Sequence, residues 1–288
     1  MLRLKDAFDK KDFVITAEIF PPKGTNLDKF ISKTLMLKPI VDAVNLTDNQ
    51  RAVMRISSLA TSKIVLDNGV DAVYQLTCRD RNRIALQSDL IGAYALGIRN
   101  VLALSGDFPT NGDHPDAKPV YDLDTVQLIS TIKKLNDGFD LSGKKLMGKT
   151  DFFIGAVCNP VHENMDLQYM MINKKIEAGA MFFQTQAIYD AKLFENFLKN
   201  VNNKDVKFLA GILPLKSSKM ARFLNEKVPG IIVPDNIIDI MDKSDNPLQT
   251  GVDIAAALIK ELRTFADGVH IMAINFEEQI PYIVEHSL

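Results

Sequence analysis

Glu18 is set in the apolar run Val14-Ile-Thr-Ala-Glu-Ile-Phe20 and is followed at once by Pro21-Pro22. A carboxyl group among apolar neighbours must find hydrogen-bond partners or take up a proton, because burying the bare charge is prohibitive. That setting suits general acid catalysis; the competing reading is a glutamate held in an internal salt bridge. Asp107 stands in Leu104-Ser-Gly-Asp-Phe-Pro109, where Gly106 lets a ring or a backbone come close. Its carboxylate suits a developing cation or the N–H groups of a heterocycle; the alternative is an aspartate that caps its loop. Gln184-Thr185-Gln186 adds neutral amides that both donate and accept, as the edge of a flat heterocycle requires.

These residues fall at the ends of short, β-branched, apolar runs that recur about one βα unit apart. The runs are Val14–Phe20, Ala43–Asp48, Ala72–Cys78, Asn100–Asp107, Phe152–Asn159, Met181–Gln186, Lys207–Pro214 and Gly268–Ile274. Near-continuous apolar strands separated by helical stretches indicate parallel strands buried on both faces. Eight such units predict an α/β protein of the (β/α)8 TIM-barrel class, a single domain over 1–288, with its active site at the C-terminal strand ends. Glu18, Asp48, Gln75, Thr77, Asp107, Asn159, Gln184 and Gln186 lie at those ends. A doubly wound open sheet competes, but it usually carries a Gly-rich turn after strand one, and here that turn reads Phe20-Pro-Pro-Lys-Gly-Thr.

Helical periodicity fills the intervals 27–37, 52–68, 83–96, 123–135, 166–178, 190–201 and 216–225, then 236–243 and 253–265 before strand eight. Gly97 and Gly179 read as helix C-caps. The Pro/Gly/Asp-rich stretch 108–121 lies on the catalytic side and reads as a lid or binding loop, whereas 137–149 leads back to the bottom face.

Composition narrows the class. With 47% apolar and 24% charged residues and a net charge of −2, the chain gives no reason to expect nucleic acid or an anionic membrane as partner. No apolar stretch approaches the roughly 20 residues of a membrane span, and the charged N-terminus lacks a signal-peptide core, which places the protein in the cytoplasm. Cys78 and Cys158 form neither a disulfide framework nor a CxxC pair; both read as small apolar filler, with a reactive thiol as the alternative. His114, His162, His270 and His286 have no metal-ligand spacing, and His270, inside strand eight, reads as a satisfied core residue, so no metal is expected.

Taken in order, Glu18-Ile-Phe-Pro-Pro22, Leu76-Thr-Cys78 with Asp80 and Asn82, Leu102-Ala-Leu-Ser-Gly-Asp107, Lys175–Gln186 and Gly211-Ile-Leu-Pro214 resemble the methylenetetrahydrofolate reductases, over about 16–275. The resemblance implies a (β/α)8 enzyme whose flavin, usually FAD with FMN also possible, passes hydride from NAD(P)H to 5,10-methylenetetrahydrofolate. It implies that Glu18 is the acid that opens the imidazolidine ring and that Asp107 lies close to both flavin and pterin. It implies folate contacts at Gln186 and Gln184, and flavin contacts at Thr47, Gln75, Thr77, Gly106, Asp107, Asn159 and Lys175. The product, 5-methyltetrahydrofolate, would serve methionine synthesis or an anaerobic one-carbon route of the Wood–Ljungdahl type.

Several positions depart from the family pattern. Ser105 stands where arginine is common, Gln75 where histidine is, Thr47-Asp48-Asn49 where Thr-Tyr-Gly is, and Asn159 where tyrosine is. The stretch 215–221 lacks an aromatic that would stack on nicotinamide. This combination resembles reductase subunits that receive electrons from an iron–sulfur partner subunit; two cysteines cannot hold a four-thiolate cluster in this chain itself. A homo- or hetero-oligomer is compatible with either donor. Two other readings compete: a pterin-binding methyltransferase barrel feeding a corrinoid, and a non-catalytic flavin subunit of an electron-transfer complex.

Overall fold

A computed structural model of the chain describes residues 2–201, 203 and 205–288. The strands β1 (Val14–Ile19), β2 (Ala43–Leu46), β3 (Asp71–Thr77), β4 (Asn100–Leu104), β5 (Phe153–Cys158), β6 (Phe182–Ala187), β7 (Lys207–Ile212) and β8 (Gly268–Ile271) pair in sequence order, all parallel, into one closed barrel. Helices α1 (Leu4–Lys10), α2 (Asp28–Leu37), α3 (Ser58–Asp67), α4 (Arg83–Ala95), α5 (Thr125–Asn136) and α6 (Met165–Ala178) are followed by α7 (Ala191–Lys199), α8 (Ser218–Lys227), α9 (Asp235–Asp242), α10 (Pro247–Leu262) and α11 (Ile280–His286).

Local chemistry starts most helices where the barrel needs them. Asn82, Asn164 and Asp190 cap α4, α6 and α7 by accepting backbone N–H groups, and Asp124 with Gln127 forms a capping box at α5. Each removes orphan donors just past a strand end, so the chain turns back without exposing unsatisfied backbone.

Strand alternation divides the side chains between two cores. The outward-facing set, with Tyr74, Ile154, Phe183 and Phe208, packs against the helices. The inward set is apolar only at the bottom, where Val14, Ala43, Val73, Leu102, Phe153, Phe182 and Leu209 meet the plug formed by Leu4, Ala7 and Phe8 of α1. Gly155 makes this layer possible, because a Cβ there would stand 2.2 Å from the Phe182 ring. Above it the interior turns polar: Thr16, Glu18, Asn45, Gln75, Gln184 and His270 are all buried. Barrel interiors are ordinarily filled with branched aliphatics, so a buried polar upper layer marks this end for chemistry.

Several boundaries differ from the sequence expectation. The interval 52–68 is a single-turn 3-10 segment (Gln50–Ala52) and then α3, whose cap is Ser57. The last long helix begins at Pro247, capped by Asn246, rather than near 253, because proline is accommodated in the first helical turn. Helix α11 follows β8 without having been expected. β4 stops at Leu104, so Asp107 belongs to the loop after the strand rather than to its end.

Candidate active site

A cavity of about 410 Å³ opens at the C-terminal end of the barrel, lined by Glu18, Gln75, Asn159, Gln168, Lys175, Gln184, Gln186 and His270, with Leu102, Leu104, Val157, Cys158, Thr185 and Met272. Glu18 on β1 is buried, and its Oε2 accepts a hydrogen bond from Gln75 Nε2 on β3 at 3.1 Å. His270 Nε2 on β8 lies 3.9 Å from that same oxygen. Oε1 of Glu18 has no protein partner among the described residues and borders the cavity.

Beneath Glu18 the polar layer closes on itself. Asn45 Nδ2 donates to Gln184 Oε1 at 2.7 Å, and Gln184 Nε2 donates back to Asn45 Oδ1 at 3.1 Å, pairing β2 with β6 across the barrel. Gln184 Nε2 also reaches Thr16 Oγ1 at 3.4 Å, and Thr16 Oγ1 lies 3.0 Å from His270 Nδ1. Gln184 therefore spends its amide on the cavity floor. Gln186, one pleat nearer the mouth, is half-buried, with its side-chain oxygen on Ala187 N.

Lys175 of α6 donates its ammonium to Val157 O at 2.7 Å, and burial lowers its pKa from the ordinary lysine value. Asn159 carries a side chain whose Oδ1 accepts Val161 N–H and whose Nδ2 packs against Gly230 so closely that a Cβ there would sit at 1.7 Å. Burial pushes the Cys158 thiol up to about 12, the nearby Lys175 ammonium opposing it. The polar lining is thus amides with one ammonium, one carboxyl, one imidazole and one hydroxyl, matched to the alternating N–H and C=O edges of a flat heterocycle.

Gln75, Asn159, Lys175, Gln184, Gln186 and Glu18 are brought together at this cavity; Thr47, Thr77, Gly106 and Asp107 are not among its lining residues. Thr77 donates its hydroxyl to Asp48 Oδ2 at 2.9 Å, an oxygen that also accepts Arg81 at 2.8 Å. Thr47 Oγ1 is buried without a partner among the described residues. Gly106 has φ +86°, but the space beside it is taken by Thr77 and the buried Arg79, not left for a ligand ring. Arg79 in turn grips Asp80 at 2.7 Å and Asp107 O at 3.2 Å. The Asp107 carboxylate is exposed and accepts the backbone N–H of Arg51 at 2.8 Å.

The expected lid, 108–121, packs over the loops after β2, β3 and β4: Met54 N donates to Asp113 Oδ1, Val120 N to Arg79 O, Tyr121 N to Cys78 O and Tyr121 OH to Gly106 O. It borders a separate hollow of about 220 Å³ with Asn49, Ala52, Arg79 and His114. After β7, Ser217 serves as the N-cap of α8, and Phe223 on that helix is exposed. Thr16, Asn45, Gln168 and His270 join the site without a motif that marks them in the sequence. The available signal was the strand alternation, which places Thr16 and His270, register partners in the β1–β8 ladder, on the same inward face as Glu18. No group of three or more His, Cys, Asp and Glu among the described residues is placed to hold a metal, and no helix of the described residues is long and apolar enough to cross a membrane.

Residues 3–287 match the profile of the family described as methylenetetrahydrofolate reductase. The chain is 28% identical to the 5,10-methylenetetrahydrofolate reductase of Pectobacterium carotovorum subsp. carotovorum, over 95% of this chain and 89% of that one. It is 25% identical to methylenetetrahydrofolate reductase 2 of Schizosaccharomyces pombe, over 94% of this chain but only 44% of the longer yeast protein. Among solved structures, an uncharacterized protein from Clostridium thermocellum that binds two copies of 5-methyl-5,6,7,8-tetrahydrofolic acid superposes with a TM-score of 0.66 at 16% identity, covering 98% of this chain and 97% of that one, and thus shares the fold.

Proposed function

Because this chain belongs to the methylenetetrahydrofolate reductase family, we propose that it reduces 5,10-methylenetetrahydrofolate to 5-methyltetrahydrofolate with a flavin as hydride carrier. The observation that supports this most is Glu18: a buried acid with one oxygen held by Gln75 and the other facing a cavity walled by amides. Ring opening needs a proton on the departing imidazolidine nitrogen. As that C–N bond breaks, the exocyclic carbon becomes a 5-iminium centre, which accepts hydride to become the methyl group. Among the described residues Glu18 is the only carboxyl lining the cavity, so it supplies that proton. The surrounding Gln75, Gln168, Gln184 and Gln186 are neutral, and an uncompensated cation formed there is stabilised by the carboxylate Glu18 leaves behind.

Gln75 and Asn159 fit the polar edges of a flavin ring and Lys175 its ribityl-phosphate region; the flavin, when bound, would supply the two-electron hydride chemistry. On the β2–β4 side, Thr47, Thr77, Gly106 and Asp107 are committed to the Asp48, Arg79 and Arg81 cluster or to the loop, so FAD or FMN would be held by few contacts and loosely retained. Gln186, which lines the cavity, would meet the pterin, and Gln184 shapes the floor beneath it. The lack of an aromatic residue within 215–221 favours an iron–sulfur partner subunit over NAD(P)H as electron donor.

The test is anaerobic. The purified protein, supplied with FAD or FMN and reduced by dithionite, is mixed with 5,10-methylenetetrahydrofolate while flavin reoxidation and methyl product are followed. Stoichiometric product supports the reading. Failure of both flavins to bind at micromolar concentration, with no product formed, overturns it.

A further inference from the structure

His270 was expected to be a satisfied core residue, yet its ring reaches the cavity wall and its Nε2 faces the acid. The nearest acceptor for the Thr16 hydroxyl assigns the histidine's tautomer. Gln184 Nε2 donates to Thr16 Oγ1, so the Thr16 hydroxyl proton is free to donate elsewhere. It has two acceptors in reach, His270 Nδ1 at 3.0 Å and Val269 O at 3.4 Å, and the nearer is the histidine nitrogen. With Nδ1 accepting, a neutral imidazole carries its hydrogen on Nε2 and points it toward Glu18 Oε2.

We infer that His270 is a positioning residue for the acid: the ordered row Asn45, Gln184, Thr16, His270 aims an Nε2–H at Glu18 Oε2. Gln75 Nε2–H already donates to that oxygen. One donor on Oε2, with a second aimed at it, makes it the acceptor oxygen of the carboxyl group, so the acid's proton resides on Oε1, the atom on the cavity side. At 3.9 Å the imidazole stands just beyond hydrogen-bond range, and a shift of about one ångström, or one bridging water, completes the contact. The row also explains why an amide pair is buried in the floor of a barrel: it supplies the donor that frees the Thr16 proton. This assignment rests on the proposed reductase reading.

The experiment compares His270→Asn, which keeps an atom at the Nδ1 position for Thr16 but loses the Nε2 donor, with His270→Gln, which restores a donor near Glu18. Each is made in wild type and in Glu18→Gln. Methyl-product formation in single turnover, 5-methyltetrahydrofolate affinity and the thermal melting point are measured. Loss of an outer partner that orients a key group costs about 10- to 100-fold at metal sites, and His270→Asn should slow the folate half-reaction by that order, with affinity changed less than about threefold. His270→Gln should recover most of the loss. On the Glu18→Gln background His270→Asn should add less than about twofold, because the two residues act as one unit. Thr16→Val, close in shape, should show part of the same loss and carries the test if the histidine variants melt early. Losses that multiply in the double variant, or no rescue by glutamine, overturn the inference while leaving the reductase reading intact. A wild-type protein that forms no methyl product under any donor overturns both.

Discussion

Asn45 and Gln184 clasp each other amide to amide across the barrel, at 2.7 and 3.1 Å, from strands that are not neighbours in the sheet. Each donates to and accepts from the other, so neither amide is left unpaired in a layer that excludes bulk water. The clasp separates the apolar plug from the polar cavity and holds the floor on which Glu18 and His270 stand.

Cutting the clasp from one side should therefore cost more than the bond itself. Asn45→Ala strands the Gln184 amide, and an unsatisfied buried polar group costs about 1–3 kcal/mol. Urea unfolding should show a loss of that size, and Gln184→Leu in the same background should recover part of it. An unchanged midpoint in Asn45→Ala would show that the pair contributes nothing to stability.

Replacing Glu18 by glutamine keeps the shape and an acceptor for Gln75 but removes the transferable proton. Folate reduction should fall by about 10²- to 10⁴-fold. Bleaching of bound flavin by dithionite should be nearly unaffected, since no ring opens in that step. Equal losses in both half-reactions would make Glu18 a structural residue.

Asp107 anchors the β2 loop, where Asn49, Arg51 and Ala52 all take positive φ values of 48°, 57° and 55°. Left-handed backbone at arginine and alanine persists only when neighbours hold it. Asp107→Asn weakens a charge-assisted bond, so protease cleavage within 49–55 should quicken. The folate half-reaction should fall less than in Glu18→Gln. A larger loss than in Glu18→Gln would mean that the carboxylate swings into the cavity during turnover.

Nicotinamide needs a surface to stack on, and aromatic packing commonly contributes about 0.5–1.5 kcal/mol. The stretch 215–221 contains no aromatic residue, Ser217 within it caps α8, and Phe223 lies exposed on that helix. NADH should reduce the flavin slowly or not at all in the isolated chain, whereas dithionite or reduced viologen acts readily. Stopped-flow reduction by NADH at the turnover rate would remove the case for a partner subunit.

Burial pushes the thiols of Cys78 and Cys158 up to about 12, from an ordinary value of 9.0. At pH 8 both are essentially neutral, and alkylation by iodoacetamide should be slow until urea unfolds the chain. A folded value above the unfolded one favours folding fully below about pH 9, and that contribution is lost as pH rises toward about 12. Wild type should therefore lose more stability between pH 9 and 11 than Cys158→Ala, in which the thiol is absent. Identical pH profiles would show that the thiol is not the group responsible.

The barrel and the inward acid are legible in the order of residue types. Eight apolar strands a βα unit apart, with no Gly-rich turn of a doubly wound sheet after the first, favour a closed barrel, and Glu18, two residues on from Thr16, must share its side of β1. That order also determined the helix starts, because Asn82, Asp124, Asn164 and Asp190 satisfy backbone donors within their own turns. Tertiary structure decided what depends on where pairing ends and on how the barrel closes. β4 pairs with β5 only from Asn100 to Leu102, so the chain leaves the sheet before Asp107 and carries that carboxylate to the surface. Register between β1 and β8 sets His270 beside Thr16 and Glu18, and closure alone brings Asn45 to Gln184 from opposite walls. These contacts join residues far apart in the chain, whose partners no local pattern of residue types specifies.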